Sequence, residues 1–328
     1  MGPLTGSGMP VLEIENLPGG AIRPGFAGFL YPRHRYVLTG EIVDYDVAQP
    51  APEVFTALTA ALDGVPAGCL LLGPDRPGLT RVFSIMTAPP LRRRGVAAAL
   101  LAQARSVALA SGHAGLIAYH NDRMRLRGAY EALLQHAGWQ TPVLEEVRVG
   151  GPAGPFAEKV AAKWSALFRR QDDEGFGLML HSTRPPGADA AITALCESGQ
   201  VEEMLRPVGW IMDHADPAVS ILLLHHGRIV GWIIGERSPR MEGIHYTLGY
   251  VVPSLRRAGW LFRGLMEVTR LQAAAYGPDS PAAYETRGTN QAMIRTILDH
   301  VAPFAAWTDR RFQARLQWAD LPPQPVPA

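Results

Sequence analysis

Two stretches of this chain repeat one another. Pro89-Pro90-Leu91-Arg92-Arg93-Arg94-Gly95-Val96-Ala97 and Pro253-Ser254-Leu255-Arg256-Arg257-Ala258-Gly259-Trp260-Leu261 share Pro, Leu, Arg, Arg and Gly at the same places, 164 residues apart. Upstream, Asp63-Gly64-Val65-Pro66-Ala67-Gly68 parallels His226-Gly227-Arg228-Ile229-Val230-Gly231 at an offset of 163. Two compatible offsets indicate a duplicated unit, so whatever one half folds into constrains the other. A length of 328 residues accommodates this, since a domain takes roughly 150.

Composition narrows the classes. The chain is 47% hydrophobic and 19% charged, enough apolar material for packed cores. Lys plus Arg number 31 against 30 acidic residues, so no bulk electrostatic drive toward nucleic acid exists. Only Lys159 and Lys163 are lysines, and the remaining positive charge, all Arg, reads as compositional bias. Cys69 and Cys196 are too few and too far apart for a disulfide scaffold or a zinc ribbon. The longest apolar candidate for a membrane span, Ile221 to Leu224, stops at His225-His226, far short of the ~18 residues needed. Residues 1–10 lack the basic head and apolar stretch of a signal peptide. A soluble, cytoplasmic protein without a metal is the expectation, the His225-His226 pair having no third ligand at a recognisable spacing.

The two copies share an order of elements. Phe55 to Leu62 and Val219 to His225 each precede an Xaa-Gly turn and a return strand, Cys69 to Leu72 or Trp232 to Ile234. The Ala-rich Phe55 to Leu62 has a helical composition, but its repeat partner Ile221-Leu222-Leu223-Leu224 makes it a strand. A further strand, Arg81 to Thr87 or Ile244 to Val252, runs into the Pro-Xaa-Leu-Arg-Arg loop and a helix closed by Gly112 or Gly277. A short strand follows in each copy, Gly115 to His120 or Ala282 to Arg287. The last helix carries Leu126, Ala129, Tyr130, Leu133, Leu134 and Ala137 in one copy. In the other it carries Met293, Ile294, Ile297, Leu298 and Val301, with Asn290 as cap and Pro303 as stop.

Residues 150–155, rich in Gly and Pro, read as a linker, followed by a connecting helix from Phe156 to Arg170. The expected organisation is an N-terminal domain over 1–149, trimmed at its start, where Val11 to Pro50 has more breakers and no helix comparable to the one that opens the second copy, and a connector over 150–174. A C-terminal domain then covers 175–320, opening with a strand from Leu178 to Arg184 and a helix from Ala188 to Leu205, and a Pro-rich tail covers 321–328.

Arg-Xaa-Xaa-Gly-Xaa-Ala between a strand and a helix gathers unpaired backbone amides around a concave turn, a ready anion site. Glycine at the fourth place lets a phosphate approach the backbone. These residues resemble the pyrophosphate loop of the GNAT acyltransferase superfamily, Gln/Arg-Xaa-Xaa-Gly-Xaa-Gly/Ala. Val251-Val252-Pro253 stands where that family has Val-Xaa-Pro, Thr87-Ala88-Pro89 in the other copy.

The resemblance covers residues 40–149 and 175–318. It implies an α/β fold, an α+β mixed sheet in each of two tandem GNAT-like domains, and transfer from acetyl-CoA or another acyl-CoA to an amine of a small molecule or peptide. It also implies that acyl-CoA is held by Met86, Thr87, Arg92, Arg93, Arg94, Gly95, Val96 and Ala97 in the first copy. In the second the implied set is Tyr250, Val251, Val252, Arg256, Arg257, Ala258, Gly259, Trp260, Leu261 and Asn290. Leu261 stands where the family usually has Gly or Ala. The family's proton-donating Tyr falls at Leu134 in the first copy, four residues before Gly138-Trp139, and at Ile297 in the second. Tyr130, one turn earlier, is expected in the core.

Chemistry is expected in the second copy, because its strand before the loop carries polar groups. His245 is the first choice of base, with a pKa near neutrality. Glu285 on the next strand stands beside it as a candidate, followed by Glu236, Tyr246 and Glu242. Arg81 and Ser84 are what the first copy offers there. A CoA-binding sensor or scaffold is the alternative that the missing Tyr residues favour. A transferase using aminoacyl-tRNA is a third, drawn from Arg92 to Arg94, Arg123, Arg125, Arg127 and Arg310-Arg311, and disfavoured by the balanced charge.

Overall fold

The computed structural model of the chain describes residues 11–19, 21–40, 50–237 and 243–320. Glu242, the opening segment 1–10 and the Pro-rich tail 321–328 lie outside these described residues. The chain groups into two compact units, residues 1–145 with 311–328, and residues 146–310.

The first unit runs β1 (Leu12–Pro18), α1 (Pro24–Ala27), α2 (Tyr36–Thr39), β2 (Thr56–Leu62), β3 (Val65–Pro74), β4 (Leu79–Thr87), α3 (Val96–Ala110), β5 (Gly115–Asn121) and α4 (Arg127–His136). Its strands lie in chain order, antiparallel through β4 and parallel between β4 and β5. The Ala-rich segment is strand β2, as the repeat demanded. It is covered on both faces, so its polarity does not alternate and composition alone misleads.

One face packs Leu58, Leu70, Leu100, Leu116 and Leu134 beneath α3 and α4; the other packs Leu17, Tyr36, Phe55 and Leu71 beneath α1 and α2. The breaker-rich start contributes to this second face. It holds β1 and two one-turn helices, α1 begun by Pro24 and α2 ended by Gly40 at φ 70°.

The second unit runs β6 (Val143–Pro152), α5 (Ala153–Asp173), β7 (Phe176–Leu180), α6 (Ala188–Glu197), α7 (Trp210–Asp213), β8 (Ile221–His225), β9 (Arg228–Arg237), β10 (Ile244–Val251), α8 (Pro253–Arg256), α9 (Trp260–Tyr276), β11 (Pro281–Arg287) and α10 (Gln291–Thr296). Its strand order is β6-β11-β10-β9-β8-β7, with β10 and β11 parallel. Through Glu146 to Pro152, β6 pairs antiparallel with β11. The last strand, β12 (Trp307–Gln317), pairs through Arg311 to Gln317 with β5. The strand that ends each copy thus completes the sheet of the other.

The segment expected as a linker is the end of β6 and the start of α5. Gly150 is glycine because the Trp307 ring and the Ala282 carbonyl stand where a Cβ would go, so its smallness serves packing, not freedom. The helix expected to reach Leu205 stops at Glu197. Ser198-Gly199, with Gly199 at φ 75°, supplies a glycine stop that the longer reading overran. The strand expected from Leu178 to Arg184 covers 176–180 and turns into a short 3-10 helix at His181.

Candidate functional site

Each unit contains a fork between two parallel strands. In the first, β4 and β5 pair from Leu79 and Gly115 to Val82 and Ala118, after which the pairing ends. Phe83 is bulged out of the ladder, since Leu71 faces Ser84 and Leu72 faces Val82. In the second, β10 and β11 pair as far as Tyr246 and Tyr284, and Thr247 is bulged. Phe83 and Thr247 are 164 residues apart, so the duplication kept the bulge together with the loop. Past each fork, one side of the strand has no β partner for its peptide groups, which suits an extended, amide-bearing ligand.

The two loops that follow differ. Asp63, Arg93 and His226 are the non-glycine residues with positive φ among the described residues. Asp63 and His226 open two-residue hairpin turns, where that conformation is ordinary. Arg93, at φ 66°, does not; with Gly95 at φ 80° it curls the backbone so that successive amides converge. Such a non-glycine conformation costs about 1–3 kcal/mol and persists where function requires it. The first helical bond of α3 runs from Ala99 to the Gly95 carbonyl, so the Val96, Ala97 and Ala98 amides point out of the helix end. A Cβ on Gly95 would meet nothing within 4 Å, and Arg92, Arg93 and Arg94 are exposed. Met86 and Thr87 lie at the open end of β4. This loop has the open geometry of an anion cradle.

The second loop is relaxed and filled. Arg257, the counterpart of Arg93, sits at an ordinary φ of −74°. The Ala258 and Gly259 amides turn inward to Leu255 and Arg256. Gln171 of α5, wholly buried, donates through Nε2 to the Ala258 carbonyl at 2.6 Å. A Cβ on Gly259 would lie 3.3 Å from that nitrogen and 3.6 Å from Leu167. Arg256 bends back, its Nε donating to the Val251 carbonyl at 3.3 Å and its guanidinium lying over Tyr250. Leu261 covers Gly249 on β10, Val251, Tyr250 and Trp260 are buried, and Val252 is half-buried with its amide donating to Val230. Asn290 caps α10, its Oδ1 accepting from the Met293 amide. Gln171 was missed by sequence reasoning. The signal was present: it falls on the apolar stripe Phe156, Val160, Trp164 and Phe168, where a polar residue needs a buried partner.

The second unit does bring His245 and Glu285 together, with Nε2 to Oε2 at 3.0 Å and His245 only 13% exposed. Burial pulls the imidazole pKa down, but Glu285, Glu236 and Glu146 outweigh it and the net direction is up. Burial raises the Glu285 pKa, yet His245, Glu146 and Arg148 more than reverse this, so it lies well below the usual carboxylate range. Both shifts favour the charged forms of the pair, a poor arrangement for a base that must receive a proton. Glu236 lies opposite His245 in the β9–β10 register, half-buried. Tyr246 is core: it donates to Gln272 at 2.7 Å and stacks on Tyr284.

A pH signature follows from the pair. A raised His pKa gives stability that is full below about 6.5 and fades as pH rises through the folded value; a lowered Glu pKa gives stability that is full above about 4.3 and fades as pH falls. Glu285→Gln is therefore expected to destabilise most near pH 5 to 6.5, and less at pH 8 to 9. Urea unfolding midpoints of both proteins across that range check it; a pH-independent difference would contradict it.

The first unit places different chemistry at its fork. Arg81, the counterpart of His245, packs against two rings, its guanidinium carbon 4.4 Å from the Phe83 centroid and 4.6 Å from that of Tyr119. Tyr119 donates to Asp75 at 3.3 Å. His34 lies edge-on to Phe83 and accepts at Nε2 from the Arg33 Nε, 3.1 Å away. Burial, then Arg33 and Arg81, lower its pKa to about 4, so it is neutral at pH 7. Tyr130 of α4 is buried, as expected, edge-on to His120. Its phenol also lies near enough to Tyr31 and Arg81 for their charges to act on it, and burial first of all raises its pKa. Leu134 and Ile297, at the family's Tyr position, are both buried in the core. Cys69 and Cys196 are buried thiols. Among the described residues no group of His, Cys, Asp or Glu could hold a metal, and no helix is long and apolar enough to cross a membrane.

Residues 25–134 match the Acetyltransferase (GNAT) family model. The chain superposes on a GCN5-related N-acetyltransferase from Sphaerobacter thermophilus with a TM-score of 0.55 and 14% identity, over 93% of this chain and 95% of that one. It superposes on a tandem GNAT protein from the clavulanic acid biosynthesis pathway with a TM-score of 0.52 and 16% identity, over 95% and 100%. No curated protein matches the sequence. Residues 25–134 thus match the GNAT acetyltransferase family model, and over nearly its whole length the chain has the fold of a tandem GNAT protein.

Proposed function

We propose that the protein is an acyl-CoA-dependent N-acyltransferase whose acyl-CoA site and chemistry lie in the first unit, not in the second where the polar strand pointed. The observation that carries this is the contrast between the loops: Arg93 and Gly95 hold a strained, open cradle, whereas Gln171, Leu167 and Leu261 close its counterpart.

The residues present fit the group. The amides of 96–98 and the converging turn of 93–95 suit a pyrophosphate, with Arg92 and Arg94 free to pair its charge. The peptide groups of β4 past Val82 suit the amides of a pantetheine arm. Acyl-CoA, when bound, supplies a thioester carbonyl open to attack by an amine.

The acceptor must come in as the neutral amine, a state that costs a lysine-like nitrogen ~4–5 kcal/mol at pH 7; placement at the fork supplies the offset. The C–N bond forms as the C–S bond breaks, the nitrogen's proton passes to water, and Tyr130 gives its phenolic proton to the departing sulfur and regains one from water. A phenol is protonated at neutral pH by its ordinary pKa near 10; burial raises that pKa further, so the proton leaves only as thiolate charge develops beside it.

Release of free thiol from acetyl-CoA over a panel of amines tests the reading. Amine-dependent release by the wild-type protein is expected. Tight acetyl-CoA binding with no release for any amine would favour the sensor alternative; no binding at all would overturn both.

A further inference from the structure

Arg81 is an unusual residue to find where a fork opens. Its guanidinium packs against two rings, Phe83 and Tyr119, and about a fifth of the side chain is open to solvent. Its nearest carboxylate oxygen is Oδ1 of Asp75, 3.6 Å from Nη1, too far for a hydrogen bond, and Asp75 is shared with Arg76 at 3.7 Å. The buried Nε has no hydrogen-bond partner. Burial, then the charge of Arg311, depress the Arg81 pKa, and Arg33 adds to this. A permanently charged group has thus been partly desolvated near two further cations, Arg311 and Arg33, which Asp75 and Tyr119 offset in part, and its Nε is left without a hydrogen-bond partner. That is costly unless a ligand completes it.

On the reading that the first unit is the catalytic one, we propose that Arg81 binds the carboxylate of the acceptor, so that the substrate class is amines that also carry a carboxylate. The rings cover part of the guanidinium's surface, its N–H donors lie in its plane, and a planar carboxylate matches that fork. Arg81 stands one residue before the point where β4 and β5 part. An acceptor anchored there has its nitrogen directed along the fork, toward the place a thioester would occupy. Asp75, beside the same guanidinium, disfavours a second carboxylate and favours an ammonium group close by.

The test compares β-alanine, L-leucine, L-phenylalanine and 4-aminobenzoate with their own carboxamides, as acceptors with acetyl-CoA and, separately, as ligands titrated into the protein without it. For the best pair, kcat/KM is expected to favour the acid at least tenfold, and Arg81→Gln to reduce that acid-to-amide ratio by about 10- to 100-fold through KM. Arg81→Lys, which keeps the charge but not the planar fork, is expected to retain part of the preference. No discrimination between acids and amides, in turnover and in titration alike, would overturn the proposal. So would an Arg81→Gln ratio equal to wild type. Failure of the first-unit reading is distinguishable, because it shows as acids that still bind in an Arg81-dependent way to a protein that does not bind acetyl-CoA.

Discussion

Gly95→Asp is expected to abolish thiol release, lowering acetyl-CoA affinity by about 10²- to 10³-fold, a loss of ~3–4 kcal/mol. Asp is the informative choice. It is among the non-glycine residues that best tolerate positive φ, and no atom lies within 4 Å of the new Cβ, so the fold should survive. What changes is the sign of the cradle, because a carboxylate then occupies the ring of amides meant for a phosphate. Arg257→Glu in the second loop introduces a similar charge at an exposed, unstrained position and is expected to leave affinity within about twofold. Equilibrium titration of both variants, with urea unfolding to confirm their folds, checks the pair. Equal losses in both would mean the loops are equivalent and that the Gln171 plug has no consequence.

Tyr130→Phe is expected to lower kcat by about 10²-fold while leaving acetyl-CoA affinity unchanged, the range in which a lost general acid falls. The sulfur would then leave as an unprotonated thiolate or take its proton from water. The variant keeps the ring that packs edge-on against His120, so a packing role alone predicts wild-type turnover. The pH profile adds a second readout. A donor of raised pKa gives wild-type turnover that holds to high pH, and the alkaline limb assigned to it should vanish in Phe. An unchanged kcat would assign the proton to another group.

The duplicated loop and turn were enough to place β2 to β5 and β8 to β11, because a repeat supplies two readings of each element; β1, β6 and β12 had no such second reading. The repeat was enough to make Thr56–Leu62 a strand against its composition. The exchange of β6 and β12 between the sheets was not legible: strand pairing across more than a hundred residues leaves no periodic mark, and Gly150-Gly151-Pro152 has the composition of a linker while serving close packing against Trp307. The strand candidates were legible as a chemical type only. His245 and Glu285 were legible only as separate candidates on neighbouring strands; their contact at 3.0 Å, and the approach of Glu146 from β6 that helps set the charge of the histidine, come from the fold. Arg81 reads in sequence as the absence of a base. Its meaning comes from the two rings and the fork.

The sharpest case is the pair of loops. Their sequences are nearly interchangeable, and the second even carries the better Val-Xaa-Pro approach. The difference lies in one torsion at Arg93 and in a glutamine from a helix some ninety residues before the loop it fills. Neither is a property of the motif.

Calorimetric titration of the whole chain with acetyl-CoA tests the central claim most directly. The account predicts saturation at one equivalent per chain, lost in Gly95→Asp and retained in Arg257→Glu. Two equivalents, or a single one that survives Gly95→Asp and disappears in Arg257→Glu, would contradict it.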